Sequence, residues 1–307
     1  GRSFIRLDAY VDADGAVQDS HLEMDGSSVT YLGYETRDDP QNYSGYGSDQ
    51  KVLDEEDLGW AKVTGWIRNS RLSHNYRGFY SYGARDIQFL GNVVNNNHDY
   101  GVDPHDDSTG FVARGNLIHN NGGTGFALSR RCSDSIVENN IIRDNGANGL
   151  IIHDLSNNLV ARDNVIQSNG RDGIVVHDSY STLIEGNYIS NNRNGIRIFA
   201  GSTLATIRNN TFKSQREASI ILLNGWLEQT EDFSSYAEGS KWNAQNISRH
   251  NDGRVRGVLV AENSFLSDAV VLTDDARHVQ FRDNSYESGV AYDIENTRNV
   301  TINDASA

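Results

Sequence analysis

Two residue columns recur in step along this chain, and they restrict its fold more than any other feature. One column is Gly78, Gly101, Gly125, Gly149, Gly173 and Gly195, at spacings of 23, 24, 24, 24 and 22. The second is Asn69, Asn92, Asn116, Asn140, Asn164, Asn187 and Asn210, at spacings of 23, 24, 24, 24, 23 and 23, with weaker echoes at Asn263, Asn284 and Asn303. Between them lie short β-branched stretches, such as Gly149–His153 and Ser135–Ile142, separated by polar or glycine turns. Stretches this short do not make useful helices. A period near 23 residues holding only strands and turns predicts an all-β chain, a single-stranded right-handed parallel β-helix with rungs stacked roughly 4.8 Å apart. A leucine-rich repeat has a similar period, but its Leu-x-x-Leu-x-Leu pattern is absent. The asparagines are read as a structural ladder of amides.

The whole of 1–307 reads as one β-helix domain: irregular first rungs and a loop over 1–60, regular rungs over 61–213, an inserted loop at 214–256, and terminal rungs at 257–307. Strand-like pieces at Phe4–Leu7 and Val29–Leu32 flank a polar, aromatic stretch from Tyr34 to Gly59. The insertion, with Trp226, Phe233, Tyr236 and Trp242, is either a cap or a substrate lid. Turns rely on 29 Gly and almost not at all on the 2 Pro. The single Cys132 excludes an intrachain disulfide. A formal charge of −15 argues against nucleic acid, which needs a basic field. The same charge opposes a polyanionic sugar only at long range, since salt screens beyond about 8 Å. No apolar run approaches a membrane span. The chain begins Gly-Arg-Ser, as a processed protein or excised module does, and is expected to act as a monomer or as a module of a larger chain.

Counting from each glycine, positions +1 and +3 are Phe79/Ser81, Val102/Pro104, Phe126/Leu128, Leu150/Ile152, Ile174/Val176 and Ile196/Ile198, and should point inward. Alternation then turns +2 and +4 outward on one sheet face. Position +2 is Tyr80, Asp103, Ala127, Ile151, Val175 and Arg197; position +4 is Tyr82, His105, Ser129, His153, His177 and Phe199. Asp106, Arg130, Asp154 and Asp178 follow at the strand ends. This strip reads either as a glycan-binding face or as an ordinary solvated surface. Three histidines in one column favour binding, with His153 and His177 as subsites or as part of a polar ladder that fixes the turn.

One rung departs from the pattern. In Tyr100-Gly-Val-Asp103-Pro104-His105-Asp106-Asp107-Ser108 a proline stands where an aliphatic residue is expected, and proline is disfavoured inside a parallel sheet. Such a break in local consistency is where function is expected. This segment, with the Ser129-Arg130 that follows one rung later, resembles the Tyr-Gly-x-Asp-Pro-His signature of mannuronan C5-epimerases. The acidic continuation after His105 is similar to the periplasmic bacterial and brown-algal forms rather than to calcium-dependent secreted modules.

The resemblance, which covers roughly 60–215, implies that mannuronate is inverted to guluronate within alginate or polymannuronate, with no cofactor required. C5 inversion needs the neighbouring carboxylate neutralised, a base on one face and an acid on the other. Rung geometry and the resemblance both give Arg130 the neutralising role, with Arg131 and Lys62 as weaker substitutes. His105 takes one proton-transfer role, and Tyr100 or a water takes the other. Asp103 is expected to orient His105 or hold a sugar hydroxyl, with Asp106 behind it. Substrate contacts are expected from Asp106, Tyr80, Tyr82, Arg131, His153, His177, Arg197 and Lys62. An alginate lyase shares every step up to the enolate, and a non-catalytic glycan-binding β-helix shares the face. The acidic turns at Asp12–Gly15, Asp38-Asp39 and Asp106-Asp107 have oxygen ligands for Ca2+ but not the spacing of a calcium loop, so no metal site is assigned. A polymeric uronate substrate implies an extracellular or periplasmic setting.

Overall fold

The computed structural model describes residues 5–33, 45–48, 61–225 and 253–304, and they form a parallel β-helix without a helix among them. One rung runs through strands Phe79–Tyr82, Gln88–Leu90 and Val93–Asn95, and Val102–His105 then opens the next, directly beside Phe79–Tyr82. Repetition of this path builds three sheets of 12, 11 and 10 strands among the described residues. Pairing is parallel throughout, apart from a hairpin that joins Tyr10 to Gln18 and Val11 to Val17. No described helix is long and apolar enough to cross a membrane.

The inward positions behave as the alternation requires. Phe79, Val102, Phe126, Leu150, Ile174 and Ile196 are buried, as are Leu128, Ile152, Val176 and Ile198 two residues on. Phe79 touches Phe89 and Phe111, and Phe111 touches Phe126, so an aromatic cluster fills the tube just inside the motif rung. Glycine is required at the rung start by space rather than by backbone angle. A Cβ on Gly101 would lie 2.5 Å from the Gly125 carbonyl oxygen and 2.8 Å from the Asn121 amide nitrogen.

The asparagine column is a buried amide ladder. Asn116 donates its backbone N–H to Asn140 Oδ1 at 2.9 Å and its Nδ2 to the same oxygen at 2.8 Å, while Nδ2 also reaches the Phe89 carbonyl at 2.9 Å. The pattern continues through Asn164, Asn187, Asn210, Asn263 and Asn284. Its two ends differ from the expected ones. Ser70, not Asn69, precedes Asn92 in the ladder, and Asn69 instead takes a left-handed turn at φ 50°. Asp304 rather than Asn303 receives the last bond, from Asn284. A second ladder escaped the sequence reading: Asn75, Asn97, Asn121, Asn145, Asn169, Asn192 and finally Gln215.

The inserted loop begins later than the periodicity implies. Ala218–Leu223 is a strand in the stack, pairing with Asn194–Phe199 on one side and with Ala269–Asp274 on the other. The aromatic part of the insertion (226–252), most of the loop from Tyr34 to Gly59, and Asp38-Asp39 lie outside the described residues. In the acidic turn at Asp12, the carboxylate accepts from the N–H groups of Asp14 and Ala16 and from Gln18, which makes it a turn cap.

Candidate active site

Strand register lines up the residues of the motif face. His105 pairs with Tyr82 on one side and Ser129 on the other, and Ser129 pairs with His153, His153 with His177, and His177 with Phe199. The predicted +4 column therefore exists. Pro104, which has no N–H to donate, leaves its mark on this ladder. Towards Phe79–Tyr82 all four positions of Val102–His105 pair, but towards Phe126–Ser129 only Val102 and His105 do. The strand end then turns a corner in left-handed backbone. Asp106 and Asp107 have φ of 29° and 61°, and Arg130 and Arg131, one rung on, have 62° and 60°. Paired left-handed residues without glycine are costly and need support from their surroundings. At this corner the support includes ion pairs.

His105 Nδ1 lies 2.6 Å from Asp106 Oδ2. Because a carboxylate only accepts, Nδ1 carries the hydrogen and Nε2 is left as the free position of the ring. Tyr80 and Tyr82 flank this imidazole, with ring centroids at 5.5 and 6.0 Å. Arg131 grips Asp107 with both Nε and Nη2 at 2.8 Å and reaches Asp106 at 3.5 Å. Burial works to raise the Asp106 pKa, but the His105 bond and the charges of His105, Arg130 and Arg131 hold it below its ordinary range. His105 and Arg131 thus meet around one carboxylate from adjacent rungs, with Arg130 next to Arg131 in the same left-handed corner.

Two expectations need correction. Asp103 does not orient His105, a task that falls to Asp106. Asp103 is fully buried, with Oδ2 2.8 Å from Arg77 Nη1 and Oδ1 accepting from the Ser129 hydroxyl at 3.0 Å. The +2 positions are also not a solvated strip, since Tyr80, Asp103, Ala127 and Val175 are all buried.

Arg77, which the sequence reading missed, is the hub of this region. It pairs with Asp99 at 2.9 Å as well as with Asp103, and its guanidinium lies over the rings of Tyr80 and Tyr100 at 4.8 and 5.0 Å. Burial opposes its charge, but Asp103, Tyr80 and Asp99 hold it firmly protonated. The signal was present in the sequence: an arginine directly before Gly78 faces Asp99 and Tyr100 directly before Gly101. Because the one guanidinium lies over both rings, Tyr100 is placed near Tyr80. The Tyr100 hydroxyl is held above its usual pKa by burial and by Asp103 and Asp99, with Arg77 opposing.

The remaining predicted contacts are spread along the solenoid. His153 Nε2 sits 2.7 Å from Ser129 Oγ, and Asp154 joins His153 and His177 with Oδ2 and Oδ1 at 3.1 and 3.0 Å from their Nδ1 atoms. Arg197 is four strands beyond His105 in the sheet, paired with Asp172 at 2.7 Å and stacked on Phe199. Lys62 is exposed at the corner between the first and second sheets, where Val63 bridges to Ala84, and its backbone N–H donates to Asp19. Of the predicted residues, the structure gathers Tyr80, Tyr82, Tyr100, Asp103, His105, Asp106, Arg130 and Arg131 into one region. It leaves Arg197 and Lys62 outside that region.

Residues 77–226, just under half of the chain, match the family described as "Right handed beta helix region", in agreement with the parallel β-helix of the structure, one sheet face of which carries a histidine–carboxylate–arginine cluster. Shorter stretches are similar to curated enzymes. Mannuronan C5-epimerase of Pseudomonas syringae pv. tomato is 45% identical over 49 residues, 16% of this chain and 9% of the relative. Mannuronan C5-epimerase AlgG of Azotobacter vinelandii is 43% identical over 51 residues, 17% of this chain and 10% of the relative. The similarity to these mannuronan C5-epimerases is confined to about 50 residues, and the chain matches about a tenth of the length of those proteins. The crystal structure of the periplasmic alginate epimerase AlgG matches with a TM-score of 0.63 at 19% identity, over 98% of this chain and 68% of that one. The Azotobacter vinelandii mannuronan C-5 epimerase AlgE6 A-module matches with a TM-score of 0.51 at 15% identity, over 100% and 92%. At such identities these two likenesses concern the fold.

Proposed function

We propose that this protein is a mannuronan C5-epimerase, converting β-D-mannuronate to α-L-guluronate within alginate, in a periplasmic or extracellular setting. The observation that carries the reading is the Asp106 carboxylate on His105 Nδ1, which leaves Nε2 as the nitrogen that can accept a proton. His105 is then the base that takes H5. Arg130, at the strand end one rung beyond His105, offsets the substrate carboxylate as negative charge builds on its oxygens. Tyr100 remains a neutral phenol at neutral pH and returns a proton to C5 from the opposite face. Asp103 acts through Arg77, keeping that guanidinium under Tyr80 and Tyr100. The similarity to curated mannuronan C5-epimerases supports the same reading. The chemistry asks for no cofactor.

The test is incubation with polymannuronate. The expected result is guluronate signals in proton NMR without chain shortening. Rising ultraviolet absorbance from unsaturated ends would instead make the protein a lyase, in which the same carbanion expels O4. Binding of the polymer with neither change would make it a glycan-binding β-helix.

A further inference from the structure

The structure holds a second cluster of reactive side chains, separate from the His105–Asp106 pair and lying one and two rungs beyond Ser129. Asp154 sits between His153 and His177, with its two carboxylate oxygens 3.1 and 3.0 Å from their Nδ1 atoms. One donor atom from each of the three residues lies within 4.8 Å of those of the other two. Their side chains are 23%, 13% and 10% exposed, so the cluster is sheltered yet open to solvent. Phe199 covers the His177 ring at 4.6 Å.

Hydrogen-bond polarity adds an independent observation. Asp103 can only accept, so the Ser129 hydroxyl spends its one hydrogen on Asp103 Oδ1 at 3.0 Å. Ser129 Oγ must then accept from His153 Nε2–H at 2.7 Å. The other nitrogen of that ring, Nδ1, faces a carboxylate that also only accepts. Donation at Nε2 leaves Nδ1, on the Asp154 side of the ring, as the nitrogen placed to ligate a cation. A metal-bound histidine ordinarily donates its second N–H to an outer partner, which is the place Ser129 holds.

We propose that His153, Asp154 and His177 bind a divalent first-row transition metal ion, of which Zn2+ is the type. Two imidazoles and one carboxylate suit such an ion and are a poor set for Ca2+, which takes six or more oxygens. Donors around tetrahedral zinc lie about 3.3 Å apart for bonds near 2.05 Å, so small side-chain rotations close the cluster. Three protein ligands leave a fourth position open to water or to a carboxylate. The inference concerns metal binding and does not depend on the epimerase reading.

The experiment uses the whole protein after exhaustive dialysis against a chelator. It is titrated with Zn2+ by calorimetry, and a second sample is loaded with Co2+ for visible spectroscopy. One equivalent of Zn2+ is expected, together with the visible bands of a low-coordinate, nitrogen-ligated Co2+. His177→Gln and Asp154→Asn should each abolish both signals, while His105→Gln leaves them intact. Ser129→Ala should weaken Zn2+ binding by about 10- to 100-fold, as the loss of an outer partner does. Absence of Zn2+ binding by the unmodified protein overturns the proposal. So does binding that survives in both His177→Gln and Asp154→Asn. No polymer is present, so failure here is distinct from failure of the epimerase assay.

Discussion

His105 and Asp106 are neighbours in the chain, yet their side chains meet at 2.6 Å between Nδ1 and Oδ2. Strand neighbours ordinarily point to opposite faces. The left-handed backbone at Asp106, φ 29°, swings the carboxylate back towards the preceding ring. A residue that the sequence suggests is secondary thereby becomes the direct partner of the imidazole.

Replacing that partner tests its role. Asp106→Asn keeps the size of the side chain but can offer the ring an N–H, so the imidazole is no longer held in the Nδ1–H form. Turnover on polymannuronate should fall by about 10²-fold or more, within the range of lost general-base catalysis, while the polymer still binds. His105→Gln should lose turnover altogether. NMR rates and a pull-down on immobilised polymannuronate separate the two effects.

The two corner arginines should part company. Arg131 holds Asp107 through two bonds of 2.8 Å in a mostly buried pair, so Arg131→Ala should destabilise the fold by roughly 3 kcal/mol, the cost of orphaning a buried charge. Arg130→Ala should abolish turnover while the variant still unfolds in a single cooperative urea transition. The comparison needs only urea melts and the NMR assay on the two variants.

Arg77→Gln should strand the buried Asp103 carboxylate and release Tyr100. A loss of about 3–5 kcal/mol is expected for breaking a pair in which one partner is fully buried. Asp103→Asn should be milder, because the amide oxygen can still accept from Arg77 while the Ser129 hydroxyl, which can rotate, accepts from the amide N–H. Equal losses in the two variants would contradict this account of the hub.

The ladder can be probed away from the site. Asn140→Ala removes the acceptor for the backbone and side-chain N–H groups of Asn116, and takes one of two donors from Asn164 Oδ1 and the side-chain donor from the Ala113 carbonyl. At about 1–3 kcal/mol for each unsatisfied buried group, the loss should reach several kcal/mol in urea unfolding. Asn140→Ser, copying Ser70, should cost less.

Stability should also depend on pH with a defined sign. Asp106 and Asp154 are both held below the ordinary carboxylate range despite burial, Asp154 by bonds and charges from His153 and His177. A depressed folded-state pKa contributes stability above the unfolded value, near 3.9, and that contribution is lost as pH falls through the folded one. Urea midpoints should therefore drop on acidification below about pH 4. The drop should be shallower in Asp154→Asn.

The parallel solenoid and the +4 column of Tyr82, His105, Ser129, His153, His177 and Phe199 could be read from the residues alone. A fixed period leaves little choice of register once one rung is placed, and alternation then assigns each face. The proline at 104 marked the special rung for the same reason, as a local rule broken inside a regular repeat. The second amide ladder, beginning at Asn75, was as regular as the first but hidden among other asparagines in the turns. Ser70 and Asp304 show that the ladder ends tolerate other acceptors, which a search for asparagine alone misplaces by one residue.

The sequence by itself determined the coil, the period, the inward apolar columns and the rung where chemistry gathers, because these follow from repetition and from the two-residue alternation of strands. Tertiary structure decided which charges meet. Asp106 rather than Asp103 holds His105, Arg77 reaches across a rung to Asp99 and Asp103, and Asp154 joins two histidines, because left-handed corners and long side chains escape strand alternation and find partners only when rungs are stacked.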